Sequence, residues 1–158
     1  MSYNHENLIV GCGNILYKDD GLGPEVINYM KEHNIEFPGD THLIDGATSA
    51  PHYIFTLPED KWKNIIIIDI AELQSKPGHI EVLEVDEVKE SDRYMDVHGM
   101  SVTYPLHNLA DNINIKLIVC QPEDVPLEME MGLSETLENK IPEIVELTKK
   151  TLDEMIQK

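Results

Sequence analysis

Asp45 and Asp69 each end a short apolar run, Thr41–Asp45 and Asn64–Asp69. Asp19 and Asp20 stand in a glycine-rich stretch, Gly11–Gly23, that follows a third run, Asn7–Gly11. Asp96 and His98 come after a fourth, His79–Val85. Carboxylates and an imidazole gathered in one place can hold a borderline divalent metal. They can equally form an acid/base set without metal. Asp69 closes four consecutive isoleucines, Ile65–Ile68, and a carboxylate there is costly to bury unless paired, protonated or metal-bound. Each residue also has a plainer reading. Asp69 can cap a following helix, Asp45 before Gly46 is a common turn pair, and Asp19 or Asp20 can cap the helix near Pro24. His98 beside Gly99 can simply start a helix. The other histidines (His5, His33, His42, His52, His79 and His107) have no acidic strand-end partner and read as surface or structural residues. Cys120 reads as core packing, and Leu127–Met131 as a solvated acidic loop.

The elements that must position these residues alternate between strand and helix. Asn7–Gly11 and Thr41–Asp45 are short apolar runs stopped by glycine, and Asn64–Asp69 is apolar throughout, as in a strand buried on both faces of a parallel sheet. His79–Val85 alternates and reads as a half-exposed edge strand, antiparallel to its neighbour. Ile115–Cys120 is a fifth strand. Pro24 suits a first helical turn, with Val26, Ile27 and Met30 at helical spacing. Short helices are predicted over about Ala50–Leu57 and Ser101–Asp111, with an acidic loop over Asp86–Asp96. Leu137, Ile141, Ile144, Val145, Leu152, Met155 and Ile156 form one helical stripe that Pro142 should kink or split. The pattern predicts an α/β fold, a three-layer αβα sandwich with about five mostly parallel strands in one domain over residues 1–158. Ligands of such sheets bind beyond the carboxyl ends of the strands. Asp19, Asp20, Asp45, Asp69, Asp96 and His98 all fall on that rim.

Composition narrows the function classes. The 158 residues carry 12 Lys plus Arg against 30 Asp plus Glu, a formal charge of −18. That charge opposes binding to nucleic acid or to an anionic membrane. No stretch reaches the roughly 18 apolar residues of a membrane span. Met1–Asn7 is polar without an apolar signal core, so a cytoplasmic location is expected. Two cysteines, Cys12 and Cys120, cannot build a disulfide scaffold or a four-cysteine zinc site.

Four nearby chemistries are set aside. Gly11-Cys-Gly13 after a strand suggests a dinucleotide site, but Leu16 replaces the third glycine and Asp19 and Asp20 would face the pyrophosphate. There is neither a Gly-Lys-Ser/Thr phosphate loop nor a Gly-x-Ser-x-Gly elbow. Cys12 shares the rim with His98, yet its carboxylate neighbours would raise the thiol pKa rather than favour a thiolate.

Gly11-Cys-Gly-Asn-Ile-Leu-Tyr-Lys-Asp-Asp20-Gly-Leu-Gly23, followed by Pro24-Glu-Val26, resembles the N-terminal signature of the nickel–iron hydrogenase maturation endopeptidases. Asp45-Gly-Ala-Thr48 resembles their second motif, with Ala47 where glycine is usual. Ile65–Asp69 with Ile70-Ala71 resembles the third. His98, Pro122-Glu123 and Gly132-Leu-Ser134 also match, and the archaeal branch serving deazaflavin-coenzyme-reducing hydrogenases is the most similar. The resemblance implies a cytoplasmic hydrolase that removes the C-terminal extension of a hydrogenase large-subunit precursor after nickel insertion. It assigns metal contact and catalysis to Asp20, Asp69 and His98, with Asp19 second to Asp20. Gly11, Gly13 and Asn14, with Asp45 and Gly46, are assigned to substrate binding, the glycine loop by offering backbone amides to a carbonyl oxygen. Nickel is expected to arrive mainly on the precursor, with no organic cofactor. Either nickel or a carboxylate would activate the attacking water. The alternative is a nickel-dependent chaperone or checkpoint that binds the same precursor without cutting it.

Overall fold

The computed structural model describes residues 7–47, 62–84 and 113–157. The helices expected near 50–57 and 101–111, the loop Asp86–Asp96 and His98 lie outside these residues. Five strands form one sheet: β1 (Asn7–Cys12), β2 (Thr41–Ala47), β3 (Asn64–Ile70), β4 (Ile80–Glu84) and β5 (Asn114–Cys120). Their spatial order is β2-β1-β3-β5-β4. All neighbours pair in parallel except β4, which runs antiparallel to β5 at the edge. The all-isoleucine strand is therefore central, and the alternating one is the antiparallel edge, as their patterns predict.

Strand alternation divides the core. Ile66, Ile68 and Ile70 of β3 pack with helices α1 (Leu22–Glu32) and α3 (Ile141–Ile156) on one face. Ile65 and Ile67 pack with Leu8, Val10 and Cys12 on the other. Ile65 to Ile68 are at most 1% exposed, each worth about 1.5–3 kcal/mol of apolar burial.

Register is fixed by a ladder of asparagines at the amino ends of the strands. Asn7, Asn64 and Asn114 open β1, β3 and β5 and stand opposite one another. Asn64 Nδ2 donates to Asn7 Oδ1 at 2.9 Å, and Asn114 Nδ2 to Asn64 Oδ1 at 3.2 Å. Asn7 Nδ2 continues to Thr41 Oγ1 of β2 at 3.2 Å. Side-chain amides thus join four of the five strands at one level. A slip in any strand would strand buried polar atoms.

One boundary differs from the sequence reading, and the choice it left open at Pro142 is decided. Gly46 does not stop β2. The strand runs on to Ala47, and the pairing jumps from Gly11 opposite Asp45 to Cys12 opposite Ala47. Gly46 is the extra residue of a bulge, a place where a glycine is easily accommodated. The C-terminal stripe is split rather than kinked. A short α2 (Glu135–Glu138) precedes α3, whose first turn holds Pro142, where the missing N–H costs nothing. Ile156 leaves the stripe and is 37% exposed.

Candidate active site

The glycine stretch after β1 is built to bring α1 against the sheet. A Cβ on Gly11 would lie 2.3 Å from the Gly23 carbonyl oxygen, and one on Gly23 would lie 2.3 Å from that of Cys12. Only glycines permit this approach. Gly13 has φ +137°, and its Cα faces the Asp20 carbonyl. Asn14 N–H donates to that carbonyl at 2.9 Å, and Asp20 N–H donates to Tyr17 O at 3.1 Å. The chain is thereby folded back through a 3-10 turn, Lys18–Gly21, so that Asp20 sits immediately before α1.

Asp69 lies within β3, one residue before its end, and is 2% exposed. Its Oδ1 accepts the Ile70 N–H at 2.7 Å. No helix follows it among the described residues, so it is not a helix cap. By alternation it projects to the same face as Ile65, Ile67 and, on β1, Cys12. Cys12 records the convergence of the rim. Burial pushes its thiol well above the usual range, and the charges of Asp69 and then Asp20 push it further. Two carboxylates from separate elements therefore bear on one point at the carboxyl ends of β1 and β3. A buried thiol facing two negative groups is a poor nucleophile, which disfavours a cysteine hydrolase. Cys120 packs on the opposite face with α1 and α3, and burial, reinforced by Asp19, raises its thiol to about 12.

Asp19 and Asp20 separate cleanly. Asp19 is fully buried. Its Oδ2 accepts the Glu123 and Asp124 N–H groups, each at 2.9 Å, and the Ser134 hydroxyl at 3.0 Å. Its Oδ1 accepts the Ser134 N–H at 2.8 Å. Four hydrogen bonds satisfy this carboxylate and fasten residues 123–134 to the turn. Asp19 is a structural tie, and neither it nor Asp20 supplies a side-chain cap to α1. The Oδ1 of Asp20, by contrast, is enclosed beside Gly13. Sequence spacing could not rank the two. The matches at Pro122-Glu123 and Gly132-Leu-Ser134 were the available signal, because they are where the Asp19 partners lie.

The remaining predicted residues fall as follows. Gly11 and Gly13 are fixed by packing. Asn14 spends its N–H on Asp20 and its Oδ1 on the Leu16 N–H at 3.0 Å, so that amide is not offered to a substrate carbonyl. Asp45 is exposed within β2, and Gly46 is the buried bulge residue. Asp45 also lies near Glu25, whose carboxyl is raised first by burial, then by Glu32, Glu138 and Asp45. Of the histidines read as structural, His33 stacks on Tyr29 with ring centroids 3.9 Å apart, and His79 contacts Glu81 at 3.1 Å. Among the described residues no group of three His, Cys, Asp or Glu side chains is arranged to hold a metal ion. Asp20 and Asp69 supply two of the three expected groups, and His98 lies outside those residues.

A family model described as hydrogenase maturation protease matches residues 24–151. The chain belongs to the hydrogenase maturation protease family. It is accordingly a hydrolase, an endopeptidase of hydrogenase maturation. It is 38% identical over 150 residues to the coenzyme F420 hydrogenase subunit delta of Methanothermobacter thermautotrophicus, covering 93% of this chain and 94% of that relative. The expected kinship with the archaeal branch is met. Two solved structures share the fold. The maturation protease HycI of Thermococcus kodakarensis aligns with TM-score 0.75 and 20% identity, over 96% of this chain and 95% of that one. The maturating endopeptidase HybD of Escherichia coli aligns with TM-score 0.73 and 20% identity, over 94% and 93%. No helix among the described residues is long and apolar enough to cross a membrane.

Proposed function

We propose that this maturation protease acts in the cytoplasm on a nickel–iron hydrogenase large-subunit precursor that already carries its nickel. In this reading Asp20 and Asp69 face the bond to be cut. The observation that carries it is the placement of Asp69 beside Cys12 in the β1–β3 register, with Asp20 enclosed against Gly13, at the carboxyl rim of the sheet. Asp69 is held by the Ile70 N–H, which fixes its carboxylate relative to the strand end. A carboxylate so fixed can take a proton from an attacking water or contact a metal that the substrate presents. His98, by its motif, is the third member. Its imidazole would complete the set with a nitrogen donor or a proton for the leaving amine. Two carboxylates and an imidazole without thiolate make a weak resting site for nickel. That weakness suits an enzyme that must tell loaded from empty precursor, because selection is a difference of two affinities.

The name of the methanogen relative, a hydrogenase subunit, supports a second reading in which the chain holds the precursor without cutting it. The mass of the precursor decides between them. On incubation with the purified chain, nickel-loaded precursor should lose a C-terminal peptide, while nickel-free precursor should keep its mass. A stable complex with no mass change would favour the second reading and defeat the first.

A further inference from the structure

The segment read from sequence as a solvated loop is firmly anchored. Asp19 holds residues 123, 124 and 134 at its two ends. In its middle, Glu130 N–H donates to Leu16 O at 2.8 Å, and Glu130 O accepts the Lys18 N–H at 2.7 Å, forming a parallel bridge between Tyr17 and Glu130. Every anchor therefore lies in residues 16–19, directly before Asp20. Yet Leu127 is fully exposed, Met129 and Met131 are 66% and 69% exposed, and Ile15 and Leu16 are more than a third exposed. A fixed backbone presenting this much apolar side chain marks a contact surface. Methionine suits one, being flexible and polarizable.

The main chain points the same way. Along a strand, successive residues direct their N–H and C=O groups to opposite sides. Glu130 spends both of its groups on the 16–18 segment. Those of Met129 and Met131 make no hydrogen bond among the described residues. The result is a one-residue bridge at Glu130 flanked by exposed apolar side chains, a point at which an extended peptide can be added as a further strand. The surroundings are acidic. Glu123, Asp124, Glu128 and Glu130 border the edge, and Lys18 is already engaged with Asp124 and Glu130 at 3.3 and 3.5 Å. A matching occupant is extended and apolar and brings its own lysine or arginine.

We propose that the Leu127–Met131 edge docks the stretch of the hydrogenase precursor beside the bond to be cut, as an added strand, and so delivers that bond to Asp20. This rests on the processing reading above and adds the surface that recognises the substrate. Strand pairing supplies orientation, and the apolar and acidic side chains supply selectivity.

The test uses purified full-length chain and nickel-loaded precursor. The double variant Met129→Ser/Met131→Ser changes only exposed side chains. It should raise KM for precursor at least tenfold while kcat stays within threefold. Ile156→Ser, an exposed apolar residue at the end of α3, should leave both unchanged. In the Asp69→Asn background, where turnover is expected to be slower by about 10²-fold or more, the same double change should raise the precursor Kd at least tenfold, and Glu128→Lys should raise it further. Hydrogen exchange at the Met129 and Met131 amides should slow when precursor binds. Unaltered KM and Kd in the double variant, or unprotected amides in the complex, would overturn the proposal. So would self-association of the chain that the double variant abolishes without changing KM, since a second copy would then be the occupant. Wild-type chain that binds precursor through this edge but never shortens it would leave the docking proposal standing and defeat the processing reading.

Discussion

Replacing Asp19 by Asn tests its structural role apart from the chemistry proposed for Asp20. Three of its four hydrogen bonds fall on Oδ2 and one on Oδ1. Asparagine offers one acceptor oxygen and one amino group. Its better placement keeps the oxygen at Oδ2 and turns the amino group toward the Ser134 N–H, so that two donors meet. One bond to a charged acceptor is lost, worth about 1.5–3 kcal/mol, and a buried N–H is left unsatisfied at a cost of about 1–3 kcal/mol. The three surviving bonds weaken as well, because charge-assisted bonds are roughly twice as strong as neutral ones. These terms overlap, and about 3–5 kcal/mol is the expected loss, in line with breaking other buried charged networks. At about 2–4 °C per kcal/mol for a chain of this size, Tm should fall by roughly 6–20 °C. Ser134→Ala is a smaller step. It removes the 3.0 Å hydroxyl bond to Asp19 and the cap on α2 through Leu137 N–H, for about 1–2 kcal/mol. Urea titration followed by circular dichroism at 25 °C measures both. An Asp19→Asn variant within about 1 kcal/mol of wild type would show that this carboxylate does not hold residues 123–134 in place.

Three further outcomes are expected. Cys12→Ala should cleave precursor within a few-fold of wild type, and alkylating reagents should react slowly with the native protein, because burial, Asp69 and Asp20 all oppose the thiolate. Inactivation of a folded Cys12→Ala variant would restore the cysteine as nucleophile. Asn64→Ala breaks the ladder on both sides and leaves Asn7 Oδ1 without its donor. It should cost about 2–3 kcal/mol in the same urea titration, and a loss under about 0.5 kcal/mol would remove the ladder as a register device. Glu25 carries a carboxyl raised by burial and by Glu32, Glu138 and Asp45, so its charged form is disfavoured in the folded state. Stability is lost as pH rises through the ordinary and then the raised carboxyl range, and none is lost below it. Glu25→Gln should therefore raise the unfolding free energy at pH 7, by no more than about 0.5 kcal/mol given its solvent access, and the gain should vanish below about pH 4. A gain that persists or grows in acid would reverse the sign of this reasoning.

Much of the architecture was legible because burial pattern and strand role are coupled. A run such as Ile65–Ile68 has no polar face to turn outward, so it belongs in the middle of a parallel sheet. The alternating Ile80–Glu84 segment belongs at an edge. Asp69 was legible as a buried carboxylate at the strand end for the same reason, since it closes a run that has no exposed face. The distinction between Asp19 and Asp20 was not legible. Adjacent residues of the same type differ here only in which one meets Glu123, Asp124 and Ser134, more than a hundred positions away. The Gly46 bulge was hidden because glycine ends strands as often as it interrupts them. The 127–131 segment looked like a solvated loop because its anchors are main-chain bonds to Leu16 and Lys18, which leave no mark on composition.

The central claim is that the rim carboxylate on β3 takes part in cutting the precursor while the fold does not depend on it. The direct measurement is the rate at which Asp69→Asn shortens nickel-loaded precursor, read by intact-protein mass spectrometry beside wild type. The account predicts a loss of about 10²-fold or more, the usual scale for a positioned acid/base or metal-contacting group, in a variant whose circular dichroism spectrum is that of wild type. A rate within a few-fold of wild type would contradict it.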